Sequence, residues 1–238
     1  MTGGFVLAGV LGAAFALQPP GTFHGGEPVA RDGERWLALH VSADDAALIE
    51  TTLEVRAVED ALLDAPGERS GREVASRLEE SGIVTYLRGP GLHAGPVVQA
   101  QRSTDTTDQA GAPPTTTLTL LARHYRIERR CGPARTAQAD DPEQLLCRFV
   151  LGDGRTEQVL FEAPAYLEPQ GEGGAPVIVS DATAEVLFAG DLDRDGRLDL
   201  ILDATDHYNV SRPTLLLSTQ AQRGQIVGQA AQYESVGC

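Results

Sequence analysis

Apolar residues alternate with polar ones along most of the chain, and this period of two predicts β-strands rather than helices. After the aspartate-rich segment, for example, Leu198, Leu200 and Leu202 alternate with Asp199, Ile201 and Asp203, two of which are acidic. The pattern predicts strands at 36–41, 48–58, 83–87, 118–130, 145–151, 156–162, 176–180 or 184–189, 198–203, 214–219 and 226–234. The chain is therefore predicted to be mainly β, built of antiparallel sheets, with little helix.

Two segments carry signals for short helices. Residues 74–80 place Val74, Leu78 and two glutamates at spacings that suit either a strand or a helix. Asp141-Pro142-Glu143 is typical of a helix N-cap and first turn.

Glycine, proline and polar residues mark the connections between the predicted strands. They predict a linker at 17–33, a turn at 65–71, a glycine–proline loop at 88–96, a mobile loop at 101–117, a hairpin turn at 152–154 and a domain boundary at 171–175. The boundary would divide a β-rich domain, residues 34–170, from a C-terminal unit, residues 176–238.

The segment from Asp191 to Asp199, DLDRDGRLD, follows the pattern D-x-D-x-D-G-x-x-D. Carboxylates at its first, third and fifth positions (Asp191, Asp193 and Asp195) can converge on one cation if the chain turns sharply, and the following glycine permits that turn. The carbonyl of Arg197 and the carboxylate of Asp199 would complete an oxygen-only set, which suits Ca²⁺ better than Mg²⁺ or zinc. The alternative is a solvated acidic turn whose carboxylates repel each other.

An EF-hand does not fit, because its twelfth position requires a bidentate glutamate and this loop has Leu202 there, between predicted strands. The segment AGDLDRDGRLDLIL, residues 189–202, instead resembles the calcium loop of FG-GAP and VCBS-type repeats, the β-hairpin loop also found in integrin α-subunit propellers. The resemblance implies a Ca²⁺ ion at a C-terminal β-hairpin. Its implied ligands are the carboxylates of Asp191, Asp193, Asp195 and Asp199 and the carbonyl oxygen of Arg197. Because the loop occurs once, a full propeller and the family's ligand-binding roles are not implied.

The formal charge of −15 argues against nucleic acid and anionic membrane surfaces as partners. Residues 5–17, FVLAGVLGAAFAL, form an apolar run that is too short to span a bilayer. They are typical of a secretory signal, with Ala14-Phe15-Ala16 as the cleavage site, although no Lys or Arg precedes the run. Residues 1–16 are therefore predicted to be a signal peptide, and the mature chain to be secreted or periplasmic without membrane insertion.

Cys131 and Cys147 lie at the ends of two predicted strands. A bridge between them would close a loop of about 16 residues, stabilise the fold by about 3 kcal/mol and suit an oxidising compartment. Alternatively, all three cysteines are free thiols, or Cys238 pairs with one of the others or with another chain.

Two short motifs suggest catalysis. Residues 131–135, CGPAR, match C-x-P-x-R, the core of the sulfatase motif in which cysteine becomes formylglycine, but the Thr-Gly continuation is missing. Asp206 and His207 could act as an acid–base pair, although no nucleophile signature accompanies them.

The sequence thus favours an exported calcium-binding protein that acts as a non-catalytic binding or structural module. Its partner would be a protein or a carbohydrate that the sequence does not identify. One alternative is a secreted hydrolase that uses carboxylates or the Asp206–His207 pair near the metal loop. Another is an accessory lobe of a larger surface assembly.

Overall fold

The computed structural model describes residues 14–43, 45–78, 81–105, 115–133, 144–169, 176–180 and 184–236. Strands dominate these residues, and the one helical element among them is the 3-10 turn η1 (Ser218–Gln220). The strands are β1 (Ala16–Gln18), β2 (Gly21–Phe23), β3 (Arg35–Val41), β4 (Ala46–Val58), β5 (Gly71–Ser76), β6 (Ile83–Arg88), β7 (Gly95–Gln99), β8 (Gln101–Asp105), β9 (Thr115–Leu120), β10 (Arg123–Pro133), β11 (Gln144–Gly152), β12 (Glu157–Glu168), β13 (Val177–Val179), β14 (Ala184–Asp191), β15 (Asp199–Ala204), β16 (Val210–Ser211), β17 (Pro213–Leu217), β18 (Gly228–Gln232) and β19 (Ser235–Val236). All the strand pairs are antiparallel, which confirms the predicted mainly β fold.

The larger sheet has eleven strands and curls on itself. Its main path runs β1-β6-β3-β4-β7-β14-β15-β17-β18, and β2 and β5 extend it beside β4. Because β1 also lies against β17 and β18, the two ends of this path meet. The first core cluster gathers side chains from both ends of the path, including Leu17, Trp36, Tyr86, Phe188, Ile201 and Leu217.

A six-stranded sheet, ordered β13-β12-β11-β10-β9-β8, packs against the hairpin formed by β14 and β15. Leu118, Tyr125 and Leu151 from the smaller sheet share a second core cluster with Leu200 and Leu202 of β15. Ile201, between these two leucines, belongs to the first cluster. Strand β15 is therefore covered on both faces, and the aspartate-rich loop that precedes it has a rigid base.

The predicted linker at 17–33 is wrong in its first part, because β1 and β2 lie there and Leu17 and Phe23 are buried in the core. The frequent proline and glycine residues of this segment indicate a linker. The isolated apolar residues between them nevertheless place their side chains in the protein interior. The predicted cleavage site after Ala16 falls within β1, where Ala16 lies opposite Arg88. Residues 1–13 of the predicted signal peptide lie outside the described residues, so export stays a prediction.

Other local predictions also need correction. At 74–80, where the sequence suits either a strand or a helix, residues 74–76 belong to the strand β5. Both ends of the predicted loop at 101–117 are strands, while 106–114 lies outside the described residues. The single strand predicted at 118–130 is divided into β9 and β10 by a turn at Leu121, whose φ is 54°. The hairpin turn at 152–154 is confirmed between β11 and β12, whereas the helix start at 141–143 lies outside the described residues.

One sheet contains strands from both sides of the predicted domain boundary. Strand β7 precedes the predicted boundary and β14 follows it, yet the two pair, with Val98 opposite Asp191 and Gln99 opposite Gly190. Residues 171–175, where the boundary was expected, lie outside the described residues. No helix among the described residues has the length and apolar character needed to cross a membrane.

Candidate metal centre

The aspartate-rich segment connects two antiparallel strands, as its sequence predicts. Asp191 ends β14, Asp199 begins β15, and Gly190 lies opposite Asp199 in the ladder. Gly196 has a φ of 77° and supplies the expected turn. Arg194 also has a left-handed φ, 63°, which is unfavourable for a residue with a Cβ.

The side chain of Arg194 fixes the loop to the end of the connection between β6 and β7 and to the start of β7. Its Nη2 donates to the carbonyl oxygen of His93 at 3.0 Å, and its Nε donates to that of Pro96 at 3.2 Å. These two hydrogen bonds offset the cost of the left-handed backbone at Arg194 and hold the loop in its turned form.

Three carboxylates converge inside the loop. Asp191, Asp193 and Asp195 each contribute an oxygen, and these oxygens lie within 4.8 Å of one another. The group spans the protein interior and its surface, because Asp191 is buried, Asp193 half-buried and Asp195 exposed. Such a cluster could hold a metal ion, as the spacing of the aspartates predicts.

Two oxygens of this group are buried without a hydrogen-bond donor. Asp191 is only 6% exposed, and its Oδ2 accepts the amide of Gly196 at 3.0 Å while its Oδ1 has no partner. In Asp193, Oδ2 accepts the hydroxyl of Thr219 at 2.6 Å, and the buried Oδ1 again has no partner. A buried carboxylate oxygen without a donor is costly, and a cation is the partner that would remove this cost for both residues.

Asp195, in contrast, is satisfied by protein groups. Its Oδ1 accepts the amide of Arg197 at 2.8 Å, and its Oδ2 receives the Arg197 guanidinium and the Ser218 hydroxyl, the latter at 2.7 Å. These are the contacts of Arg197 in the loop, and the role of its carbonyl as a ligand stays a prediction.

Asp199 lies beside the three converging carboxylates and is completely buried. Its Oδ2 accepts the amides of Leu192 at 2.8 Å and Asp193 at 3.4 Å, and its Oδ1 accepts the amide of Ser218 at 2.8 Å. The structure therefore uses Asp199 as an internal acceptor that braces the loop, and its direct binding of a cation stays a prediction.

Burial and mutual repulsion raise the pKa values of two of the four aspartates. Burial raises the pKa of Asp191, to which the charges of Asp195 and Asp193 add, and burial raises the pKa of Asp199 to about 7. Burial also opposes ionisation of Asp195, but hydrogen bonds from Ser218 and Arg197 outweigh it and lower the pKa of that carboxyl. A bound cation would favour the charged form throughout the group.

Sequence reasoning missed Ser218 and Thr219, whose hydroxyls contact Asp195 and Asp193 from more than 20 residues along the chain. The one signal for them in the sequence is that these two polar residues directly follow the run PTLLL, residues 213–217, which forms the buried strand β17. The strand predicted at 214–219 in fact ends at Leu217, and η1 begins at Ser218.

The predicted disulfide between Cys131 and Cys147 is confirmed. The two residues lie directly opposite each other in the β10–β11 ladder. Since the Cys131 sulfur is bonded to another sulfur, the formylglycine interpretation of residues 131–135 is wrong. Cys238 lies outside the described residues.

The candidate acid–base pair is not assembled. Asp206 pairs with Arg212 at 2.7 Å, whereas Nδ1 of His207 contacts Oδ1 of Asn209. Among the described residues, no ion pair joins Asp206 to His207, and the neighbouring Tyr208 is 77% exposed. These contacts weaken the hydrolase hypothesis in the form that relies on this pair.

No protein-family model matches the chain, and no curated protein or solved structure is significantly similar to it. The resemblance of residues 189–202 to FG-GAP and VCBS-type loops therefore stays a prediction that rests on the loop residues.

Proposed function

We propose that this chain is an exported calcium-binding protein, a non-catalytic binding or structural module with one structural Ca²⁺ site at Asp191, Asp193 and Asp195. The site would hold the hairpin loop in its turned form by neutralising these carboxylates. Asp199 and the carbonyl of Arg197 are the further ligands that the FG-GAP resemblance implies.

The observation that carries this proposal is the pair of unpartnered buried oxygens, Oδ1 of Asp191 and Oδ1 of Asp193. An acidic surface turn would leave its carboxylates hydrated, whereas Asp191 is withdrawn from water. Burying the Asp191 carboxylate while one oxygen each of Asp191 and Asp193 lacks a donor is unfavourable, and a bound cation would offset this cost.

The chemistry of the donors supports calcium over other metals. The candidate ligands are all oxygens, and the described residues place neither cysteine nor histidine in the group. Carboxylate ligands from a loop suit the larger, less demanding coordination shell of Ca²⁺ better than the strict octahedron of Mg²⁺.

Export is supported by the disulfide between Cys131 and Cys147, since such bonds persist mainly in oxidising compartments. Extracellular calcium modules bind with dissociation constants of roughly 10⁻⁴ to 10⁻³ M. A site in this range would be filled at the calcium concentrations found outside cells and would stay empty in most cytosols.

Calorimetric titration and thermal unfolding of the full chain, first stripped with EDTA, test the proposal. We expect measurable calcium binding, and a tenfold excess over the dissociation constant adds about 1.4 kcal/mol to the free energy of unfolding. This corresponds to an increase in Tm of about 4 °C for a protein of this size. Magnesium should bind more weakly.

Asp191→Asn and Asp193→Asn should each abolish the calcium-dependent increase in Tm. Glu162→Gln is the matched control, because it removes the same charge from an exposed strand position that pairs with Arg148. Absence of calcium binding by the unmodified chain, or a full increase in Tm in Asp191→Asn, would contradict the proposal.

A further inference from the structure

The turn η1 reaches the acidic group from outside the loop. It follows β17, whose five residues are all buried, and Ser218 itself is 2% exposed. The hydroxyl of Ser218 donates to Asp195 at 2.7 Å, and that of Thr219 donates to Asp193 at 2.6 Å. Two of the three converging carboxylates are thus oriented by one short segment that lies 23 to 26 residues further along the chain.

A third contact joins the same segment to the loop. The backbone amide of Ser218 donates to the buried Oδ1 of Asp199 at 2.8 Å, and Asp199 in turn accepts the amides of Leu192 and Asp193. Hydrogen bonds therefore join the loop and η1 into one network, and the acceptor in each of them is an aspartate carboxylate. A change in the position of these carboxylates must change the docking of η1.

From η1 the contacts continue to β18 and β1, where the two ends of the larger sheet meet. A Cβ at Gly228, the first residue of β18, would overlap the carbonyl of Gln220 and would lie 2.9 Å from the amide nitrogen of Ala221. This close approach seats η1 directly on β18, and β18 lies against β1, where the ends of the sheet meet. The acidic loop is thus connected to the closure of the larger sheet through η1.

We propose that Ser218 and Thr219 are positioning residues of the cation site, and that cation binding and the docking of η1 onto the loop are one coupled event. Their hydroxyls hold Asp195 and Asp193 in the converged arrangement, and the bound cation fixes η1, β17 and β18 in return. This inference rests on the proposed calcium site and assigns it a regulatory role. Calcium would control how firmly the C-terminal strands close the sheet.

Hydrogen–deuterium exchange over residues 214–232, combined with calcium calorimetry, tests the coupling. In the unmodified chain, calcium should slow the exchange of these amides relative to EDTA. In the double variant Ser218→Ala/Thr219→Val, the calcium affinity should fall by about tenfold, because two hydrogen bonds to charged groups are lost. Even at calcium concentrations that saturate the variant, the slowing by calcium should disappear, because the hydroxyls that couple η1 to Asp195 and Asp193 are gone.

Thr219 is exposed, so Thr219→Val alone should fold normally and show a weaker form of both effects, and Thr219→Ser should restore them. The control variant Thr22→Val/Ser211→Ala alters two exposed hydroxyls on other strands and should change neither quantity. A general loss of stability would speed exchange with and without calcium but would leave the calcium affinity unchanged.

The inference is overturned if Thr219→Val and the double variant bind calcium with unchanged affinity, or if calcium still slows exchange over 214–232 in both. In either case the unmodified chain would bind calcium and the proposed function would stand. If the unmodified chain does not bind calcium, the proposed function fails and the inference fails with it.

Discussion

The buried carboxylate of Asp199 accepts a hydrogen bond from the backbone amide of Ser218 at 2.8 Å, although 19 residues separate the two in sequence. Its other oxygen accepts the amides of Leu192 and Asp193. One side chain therefore satisfies donors from the loop and from the end of β17. This arrangement stabilises the centre from within the protein, independently of any cation.

Replacing Asp199 by alanine should lower the free energy of unfolding in EDTA by about 3 kcal/mol, because three amides lose their acceptor in a site that water does not reach. Asp199→Asn should cost less, since one carbonyl oxygen remains. Urea denaturation of both variants measures the loss. Asp206→Ala, which removes a partly exposed carboxylate paired with Arg212, is the control and should cost under about 1 kcal/mol. Equal losses for Asp199→Ala and Asp206→Ala would contradict the bracing role.

Gly190 permits the close approach of β14 to β7. A Cβ at this position would overlap the carbonyl oxygen of Val98 and lie 2.6 Å from Cζ of Phe188. Gly190→Ala should therefore force the two strands apart and lower the free energy of unfolding by about 3 kcal/mol. Gly152→Ala is a matched control, because its Cβ would meet its nearest neighbour at an ordinary 3.7 Å. A loss in Gly190→Ala no greater than that in Gly152→Ala would show that the β7–β14 junction tolerates separation.

Local patterns in the sequence predicted most of the longer strands, because the alternation of apolar and polar residues lies within each strand. The short strands β1, β2, β7 and β8 lack a clear alternation and were missed. The β11–β12 hairpin and the β14–β15 hairpin are examples, since their turns carry Gly154 and Gly196 in the left-handed conformation. The pairing of β7 with β14 could not be predicted in this way. Its partners lie about 90 residues apart, and nothing in either segment specifies the other.

Local sequence patterns also predicted only part of the candidate site. The spacing of Asp191, Asp193 and Asp195 was sufficient to predict their convergence, because a loop of this length closes on itself. The same spacing placed Asp199 among the ligands, and that role stays a prediction. Its hydrogen bonds from backbone amides depend on its position in β15, which is covered on both faces, and the spacing does not record this position. Ser218 joins the site only through the curvature of the sheet, which no local pattern records.

The disulfide joins β10 and β11 directly across the ladder, and it closes the connection between them. The double variant Cys131→Ala/Cys147→Ala should lower the free energy of unfolding by about 3 kcal/mol, the chain-entropy value for a sequence separation of 16. Denaturant unfolding of the oxidised chain and the variant measures this loss. Cys238→Ser controls for general effects of thiol removal. If reduction of the unmodified chain leaves its unfolding midpoint unchanged, this prediction is wrong.

His24 and Asp60 form an ion pair that connects the N-terminal segment to the loop after β4. Nδ1 of His24 lies 2.8 Å from Oδ2 of Asp60, whose other oxygen accepts the amides of Leu62 and Leu63. The hydrogen bond to Asp60 raises the pKa of His24 above its ordinary value, against the opposing effect of burial. Burial favours the neutral form of Asp60, but hydrogen bonds from His24 and the two amides outweigh it and lower the pKa of that carboxyl.

These pKa shifts predict the pH range in which the His24–Asp60 pair stabilises the folded protein. The raised pKa of His24 gives stability that is complete below the unfolded value of about 6.5 and is lost as the pH rises through the folded pKa. The lowered pKa of Asp60 gives stability that is complete above about 3.9 and is lost as the pH falls through its folded pKa. His24→Gln should therefore destabilise the protein more at about pH 5.5 than at about pH 9. Urea denaturation in EDTA at both pH values measures the difference without interference from metal binding. An equal loss in His24→Gln at both pH values would mean that His24 is uncharged in the pair.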